Sequence, residues 1–214
     1  MKVLIDNFST YWHGFVGTLE LTLVSAVLAL LLGVLTAGFR VSPIRSLRAF
    51  GTGWVTILRN TPLTLLFFIV VLGLPRFDIV LPFFTFSVLA LGCYTSAFVC
   101  EVLRSGINTV PQGQGEAARS LGMTFGQTLN LIVLPQAYRS VVAPVGSVMI
   151  ALAKNTAIAG SFSVVELLGS YRTINELGYS IVWTFVWIAV GYLILTLAIS
   201  ALFNLLERRA AVSR

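Results

Sequence analysis

Long apolar runs separated by short polar segments make up most of this chain. A helix of about 20 apolar residues is long enough to cross the hydrocarbon core of a bilayer. The pattern therefore predicts an all-α integral membrane protein. It indicates no internal repeat and no second domain, so residues 1–214 are predicted to form a single transmembrane domain. Five spans are expected, at about residues 14–39, 53–74, 83–103, 131–153 and 181–206.

Three prolines fall inside the predicted spans. Pro62 follows Arg59-Asn60-Thr61 in the second span, where it removes a backbone donor and predicts a kink. Pro135 and Pro144 are expected to interrupt the fourth span. Breaks of this kind at membrane depth often line a transport pathway.

Composition and charge support a membrane protein and suggest its orientation. Hydrophobic residues make up 57% of the chain and charged residues 10%, against about 25% charged residues in an ordinary soluble domain. Nine basic residues fall on the segments predicted to be cytoplasmic and four on the outer ones. This bias predicts a multi-pass membrane protein with its N-terminus outside and its C-terminus in the cytoplasm. The net charge of +6 is thus explained by membrane anchoring, and no nucleic-acid partner is predicted. One histidine and two cysteines predict no metal site.

One polar, helix-prone segment lies between the third and fourth apolar runs. It reads EAARSLGMTFGQTLNLIVLP from Glu116 to Pro135 and predicts a short cytoplasmic helix at about residues 114–124. Pro111 separates it from the preceding span, and Glu116 is expected near its start, where a carboxylate suits the helix dipole. Gly122 costs about 1 kcal/mol against alanine inside a helix. A close approach to another backbone, or a sharp turn at the helix end, would explain it.

The spacing from Glu116 through Gly122 to Pro135 resembles the EAA motif of the membrane subunits of ABC importers. In that family the motif forms a coupling helix that docks into the ATPase subunit. The resemblance implies ATPase-docking roles for five residues, namely Glu116, Ala117, Ala118, Leu121 and Gly122.

Further segments resemble the polar amino-acid permeases of type I ABC importers, the histidine, glutamine, arginine and glutamate group. They are LRNTPLTLLFF at 58–68, EVLRSGI at 101–107, LPQAYR at 134–139, LAKNTAIAG at 152–160 and LLERR at 205–209. The Arg-Asn-Thr-Pro and Lys-Asn-Thr forms are similar to those of actinobacterial glutamate uptake permeases. The likeness implies the type I importer permease fold, with five transmembrane helices plus the coupling helix.

The same resemblance implies partners and a cargo. These are two ATPase subunits, a second permease subunit that is either identical or different, an extracytoplasmic substrate-binding protein and a small polar amino acid, with a lean to glutamate or glutamine. The family commonly has Gly where this chain has Asn60, Gln where it has Leu66 and Asn where it has Ser147. Substrate contacts therefore do not transfer directly from other members.

Energy for transport has to come from outside the chain. No G-x-x-x-x-G-K-[ST] phosphate loop is present, so the chain is predicted to be a transport subunit and not an enzyme. It is expected to hold no cofactor of its own, with ATP and magnesium in the partner subunits.

The alternatives are an ABC permease for another small solute, or a membrane channel or enzyme outside the ABC class. The enzyme alternative is disfavoured because the chain has no catalytic constellation around its single histidine. The channel alternative is disfavoured because a docking motif would have no purpose in a channel.

Glu101 and Arg104 are the most informative charges. They are three residues apart and share a helix face. An amino-acid zwitterion needs an acceptor for its ammonium group and a donor for its carboxylate, which this pair offers. The alternative is an ion pair at the cytoplasmic end of the third span that either holds the gate or is simply solvated. Further substrate or gate candidates are Thr95, Ser96 and Lys154.

Overall fold

The computed structural model describes residues 2–211, so Met1 and residues 212–214 of the predicted domain lie outside it. The described residues form helices joined by turns, which confirms the all-α fold class. The helices are α1 (Lys2–Asp6), α2 (Phe8–Val41), α3 (Arg45–Asn60), α4 (Leu63–Phe68), α5 (Phe83–Asn108), α6 (Gln112–Ser120), α7 (Phe125–Gln127), α8 (Leu134–Asn155), α9 (Ala157–Gly160), α10 (Ser170–Glu176) and α11 (Ile181–Ala211).

Four helical stretches are long and apolar enough to cross a membrane, namely Phe8–Val41, Phe83–Asn108, Phe125–Gly160 and Ile181–Arg209. Each contains one predicted span; the first and third extend beyond it at both ends, and the second and fourth only at the C-terminal end. A fifth crossing is possible only if the bent pair Arg45–Asn60 and Leu63–Phe77 acts as one span.

The predicted second span differs most from the structure. The kink predicted at Pro62 within one span over 53–74 is a turn of 104° between two separate helices. Thr61 is extended (φ −95°, ψ 129°) and Pro62 precedes the first residue of α4. A residue before proline is pushed out of the helical region, and proline itself has no N–H to donate. The two effects together end α3 and start a new helix in another direction.

The fourth span is interrupted in one place only. A π-helical turn, Thr128–Val133, precedes α8, and Pro135 lies in the first turn of α8. The predicted break at Pro144 is wrong, because α8 is continuous from Leu134 to Asn155. Helix α8 packs between α5 and α11, and Gly146 lies directly against Phe203. We attribute the continuity to this packing, which outweighs the helix penalty of proline, roughly 3 kcal/mol.

Helix α5 forms the centre of the molecule and packs against α2, α3 and α8. A Cβ atom at Gly33 of α2 would lie 2.5 Å from Val99 of α5, so only glycine permits this approach. Phe67 of α4 is fully buried in the same core and stacks on Phe162 with ring centroids 5.2 Å apart. Helices α2, α5 and α8 all pack against one another, which positions the site described next.

Candidate docking and gating site

Helix α6 is the predicted coupling helix, with corrected boundaries. It runs from Gln112 to Ser120, whereas residues 114–124 were expected. Pro111 stands at its N-cap, as its fixed φ allows. Because the helix begins two residues earlier than predicted, Glu116 lies in its second turn. The expected interaction of Glu116 with the N-terminal dipole is therefore wrong.

Gly122 makes the turn that ends α6. Its φ is +79°, a conformation that glycine adopts without strain. The Gly122 amide donates to the Arg119 carbonyl at 2.9 Å, and the Met123 amide donates to the Ala118 carbonyl at 3.1 Å. This pair of bonds is a Schellman motif, and it satisfies carbonyls that the helix end leaves free. No atom of the described residues would touch a Cβ at Gly122, so the turn explains the glycine within this chain.

The predicted docking residues divide between two faces of α6. Glu116, Ala117, Leu121 and Gly122 are exposed, and Leu121 is 84% exposed. Ala118 is buried, and α6 packs on the π-helical turn before α8. Ala118 thus supports the helix from behind, while the exposed residues remain available to a partner. Their docking role stays a prediction.

Glu101 lies at the centre of an arginine cluster. It forms ion pairs with Arg40 of α2 and with Arg104, whose Nη2 is 3.2 Å from the Glu101 carboxylate. Arg59 of α3 approaches to 3.9 Å and also stacks over the Phe98 ring at 5.5 Å. The Arg104 pair was predicted, whereas Arg40 and Arg59 were not recognised as partners. One carboxylate thus connects α2, α3 and α5.

The other candidates lie apart from this cluster. Ser96 is fully buried, accepts a hydrogen bond from Trp54 Nε1 at 3.0 Å and donates to the Cys93 carbonyl at 2.6 Å. Thr95 is also buried in α5. Lys154 is exposed in the last turn of α8, at the end of that helix remote from α6. The structure therefore groups Glu101 with Arg104 but not with Lys154, and a substrate role for any of them stays a prediction.

A cavity of about 700 Å³ joins the coupling helix to the ends of the long helices. Glu116 and Arg119 of α6 line one side, and Arg40 and Arg104 line another. Glu116 and Arg104, which the sequence suggested separately, therefore line the same cavity.

Glu166 is a functional candidate that sequence reasoning missed. It lies between α9 and α10, on the side away from α6, and is fully buried. Its carboxylate accepts hydrogen bonds from the Gly169 amide at 2.5 Å, the Leu168 amide at 2.8 Å and the Tyr192 hydroxyl at 2.6 Å. Burial raises the pKa of Glu166, although these hydrogen bonds act to lower it. The carboxylate thus connects the segment 161–169 to α11 through Tyr192.

Glu166→Gln is expected to lower the free energy of unfolding by about 1–3 kcal/mol, because an amide group replaces an accepting oxygen and leaves a buried donor unpaired. The folded-state pKa is raised, so the advantage of the wild type over the variant is largest below the ordinary glutamate pKa of about 4.3. That advantage should decline as the pH rises through the higher folded value. Thermal unfolding of both proteins from about pH 5 to about pH 8 measures it. Exposed Glu176→Gln is the control, and an advantage that grew with pH would contradict the raised pKa.

Comparison with known proteins identifies the class to which these features belong. The family model described as "Binding-protein-dependent transport system inner membrane component" matches residues 29–212. The chain belongs to this family. The permease is 40% identical over 210 residues to the glutamate transport system permease protein GluC of Corynebacterium glutamicum, covering 92% of each chain. It is 36% identical over 209 residues to the Bacillus subtilis protein named "Probable glutamine ABC transporter permease protein GlnM", covering 98% of this chain and 97% of that one.

A solved structure agrees with the sequence relatives. The permease superposes on the crystal structure of an amino acid ABC transporter with histidines with a TM-score of 0.90 and 31% identity, covering 96% of each chain. The predicted type I importer permease fold is thereby confirmed, as is the prediction of a transport subunit rather than an enzyme. The chain is the permease subunit of an amino-acid ABC importer and a multi-pass membrane protein.

Proposed function

We propose that this permease imports glutamate, glutamine or a close analogue across the bacterial cytoplasmic membrane by ATP-driven alternating access. Two ATPase subunits bind and hydrolyse ATP with magnesium, a second permease subunit completes the pathway, and an extracytoplasmic binding protein delivers the amino acid. The N-terminus lies outside, so α6 and the Glu101 cluster face the cytoplasm. The relatives named for glutamate and glutamine transport support the choice of substrate class.

The observation that carries the coupling mechanism is the cavity shared by α6 and the arginine cluster. In the proposed cycle, ATP closes the ATPase dimer and moves α6 through its exposed residues Glu116 and Leu121. The movement reaches Arg40 and Arg104 across the cavity and loosens their hold on Glu101. Glu101 thus acts as a latch that keeps α2, α3 and α5 together in one of the two states.

The substrate class can be tested with the complex of permeases, ATPases and binding protein in lipid bilayers. We expect its ATP hydrolysis to increase several-fold with glutamate or glutamine and to remain basal with arginine or histidine, because only a loaded binding protein of the right specificity should favour closure. Stimulation by a different amino acid would refute the substrate and keep the importer class. Hydrolysis that no amino acid stimulates would refute amino-acid coupling.

A further inference from the structure

The cavity between α6 and the ends of α2 and α5 has a chemistry that docking and gating leave unused. Arg40, Arg104 and Arg119 line it, together with one acid, Glu116. Glu101 does not line the cavity, but it forms ion pairs with Arg40 and Arg104 and so brings a second negative charge next to it. Three guanidinium groups therefore face two carboxylates, and the site keeps a positive charge.

One buried guanidinium donor at this site has no acceptor among the described residues. Arg104 uses Nη2 for Glu101, while its Nε is buried and has no hydrogen-bond partner among the described residues. Arg119 is exposed at the end of α6. A guanidinium carries five N–H donors in a planar fork that matches phosphate oxygens in pairs.

The rest of the lining is mixed, with polar Asn108, Gln112 and Thr128 beside a larger apolar share. Val41, Ile107, Phe125, Leu129 and Val133 lie around the arginines. A basic pocket with a partly apolar lining, at the cytoplasmic ends of membrane-spanning helices, has the composition that suits an anionic lipid headgroup and the start of its acyl chains. A site for a small hydrated anion would not need this apolar share.

We infer that this cavity binds the phosphate group of an anionic phospholipid and that the lipid connects the coupling helix to the spans. Arg119 holds the phosphate from α6, and Arg104 holds it from α5. The inference rests on the proposed orientation, which places this end of the helices at the inner leaflet. Free inorganic phosphate presents the same oxygens, so the two sources have to be separated by experiment.

The test uses the assembled complex in nanodiscs of phosphatidylcholine, with and without phosphatidylglycerol. Native mass spectrometry counts the anionic lipids retained by the wild type, by Arg119→Gln and by the matched control Arg45→Gln. Arg45 is an exposed arginine at the start of α3 and does not line the cavity. We expect Arg119→Gln to bind phosphatidylglycerol about tenfold more weakly, since one charge-assisted fork is lost. Arg45→Gln should retain the lipid as the wild type does.

Two further measurements keep the test decisive. If Arg119→Gln does not assemble, Arg119→Lys keeps the charge, loses the fork and should still bind the lipid more weakly than Arg45→Lys. In phosphatidylcholine alone, stabilisation by inorganic phosphate that depends on Arg119 would assign the site to free phosphate as well. Lipid and phosphate binding that is the same with and without Arg119 would overturn the inference. Amino-acid-stimulated ATP hydrolysis, measured on the same samples, reports separately on the proposed function.

Discussion

Gly122→Val is expected to reduce substrate-stimulated ATP hydrolysis at least tenfold, whereas Gly122→Asn should preserve most of it. Gly122 ends α6 with φ +79°. A left-handed conformation costs an ordinary L-residue roughly 1–2 kcal/mol and a β-branched one more, whereas asparagine adopts it readily. Valine should therefore open the Schellman turn and displace the exposed residue Leu121. A loss of 1.4 kcal/mol corresponds to a factor of ten in the docked population.

The pair of variants separates the two reasons that the sequence offered for this glycine. Stimulated and basal hydrolysis would be measured on equal amounts of assembled complex, so that a folding defect is not mistaken for uncoupling. If valine retained full stimulation, the turn would have no part in docking. If asparagine were as damaging as valine, the glycine would be needed for space against the ATPase partner, and the role assigned to the turn would be wrong.

Glu101→Gln is expected to destabilise the permease and to impair transport of all its substrates alike. The change leaves Arg40, Arg59 and Arg104 without their shared counter-charge. Arg40 and Glu101 are only 14% and 22% exposed. Loss of one partner should therefore cost toward the lower end of the roughly 3–5 kcal/mol seen for buried pairs. A lower midpoint of thermal unfolding, together with a reduced maximal uptake rate, would show it.

Arg59→Gln is the matched control for the cluster. Arg59 is 45% exposed and lies 3.9 Å from Glu101, so its removal should cost no more than about 1 kcal/mol. The relative KM values of different amino acids distinguish the two roles considered for Glu101. A latch leaves their ratios unchanged. A shift in the ratios, with stability intact, would instead make Glu101 a substrate contact.

Local chemistry made the coupling helix predictable from sequence. Pro111 and Gly122 mark its two ends through backbone rules that need no tertiary partner, although the predicted range 114–124 began two residues late and ran past Gly122. The Thr124 to Gln127 spacing is also typical of the capping box that starts α7. Proline likewise marked the position of the break at Pro62. Its angle of 104° was beyond sequence reasoning, because it depends on how α4 packs through Phe67 into the core.

Long-range pairing explains most of what sequence reasoning missed. Arg40 and Glu101 are 61 residues apart, and nothing in either segment indicates that their helices adjoin. Glu166 lies in a polar stretch that reads as exposed, yet it is fully buried because Tyr192 and two backbone amides complete its hydrogen bonds. A solvated surface position and a buried network look alike in a single sequence, since the partners lie on other elements.

Uptake by proteoliposomes tests the central claim most directly. The complex would be reconstituted with ATP and magnesium inside the compartment that α6 faces, and the binding protein with radiolabelled glutamate or glutamine on the other side. We expect accumulation above the external concentration, which requires both ATP and the binding protein and is lost in Gly122→Val. Equilibration without ATP would identify a passive channel, and the absence of any amino-acid movement in a complex that hydrolyses ATP would contradict the assignment of an amino-acid importer.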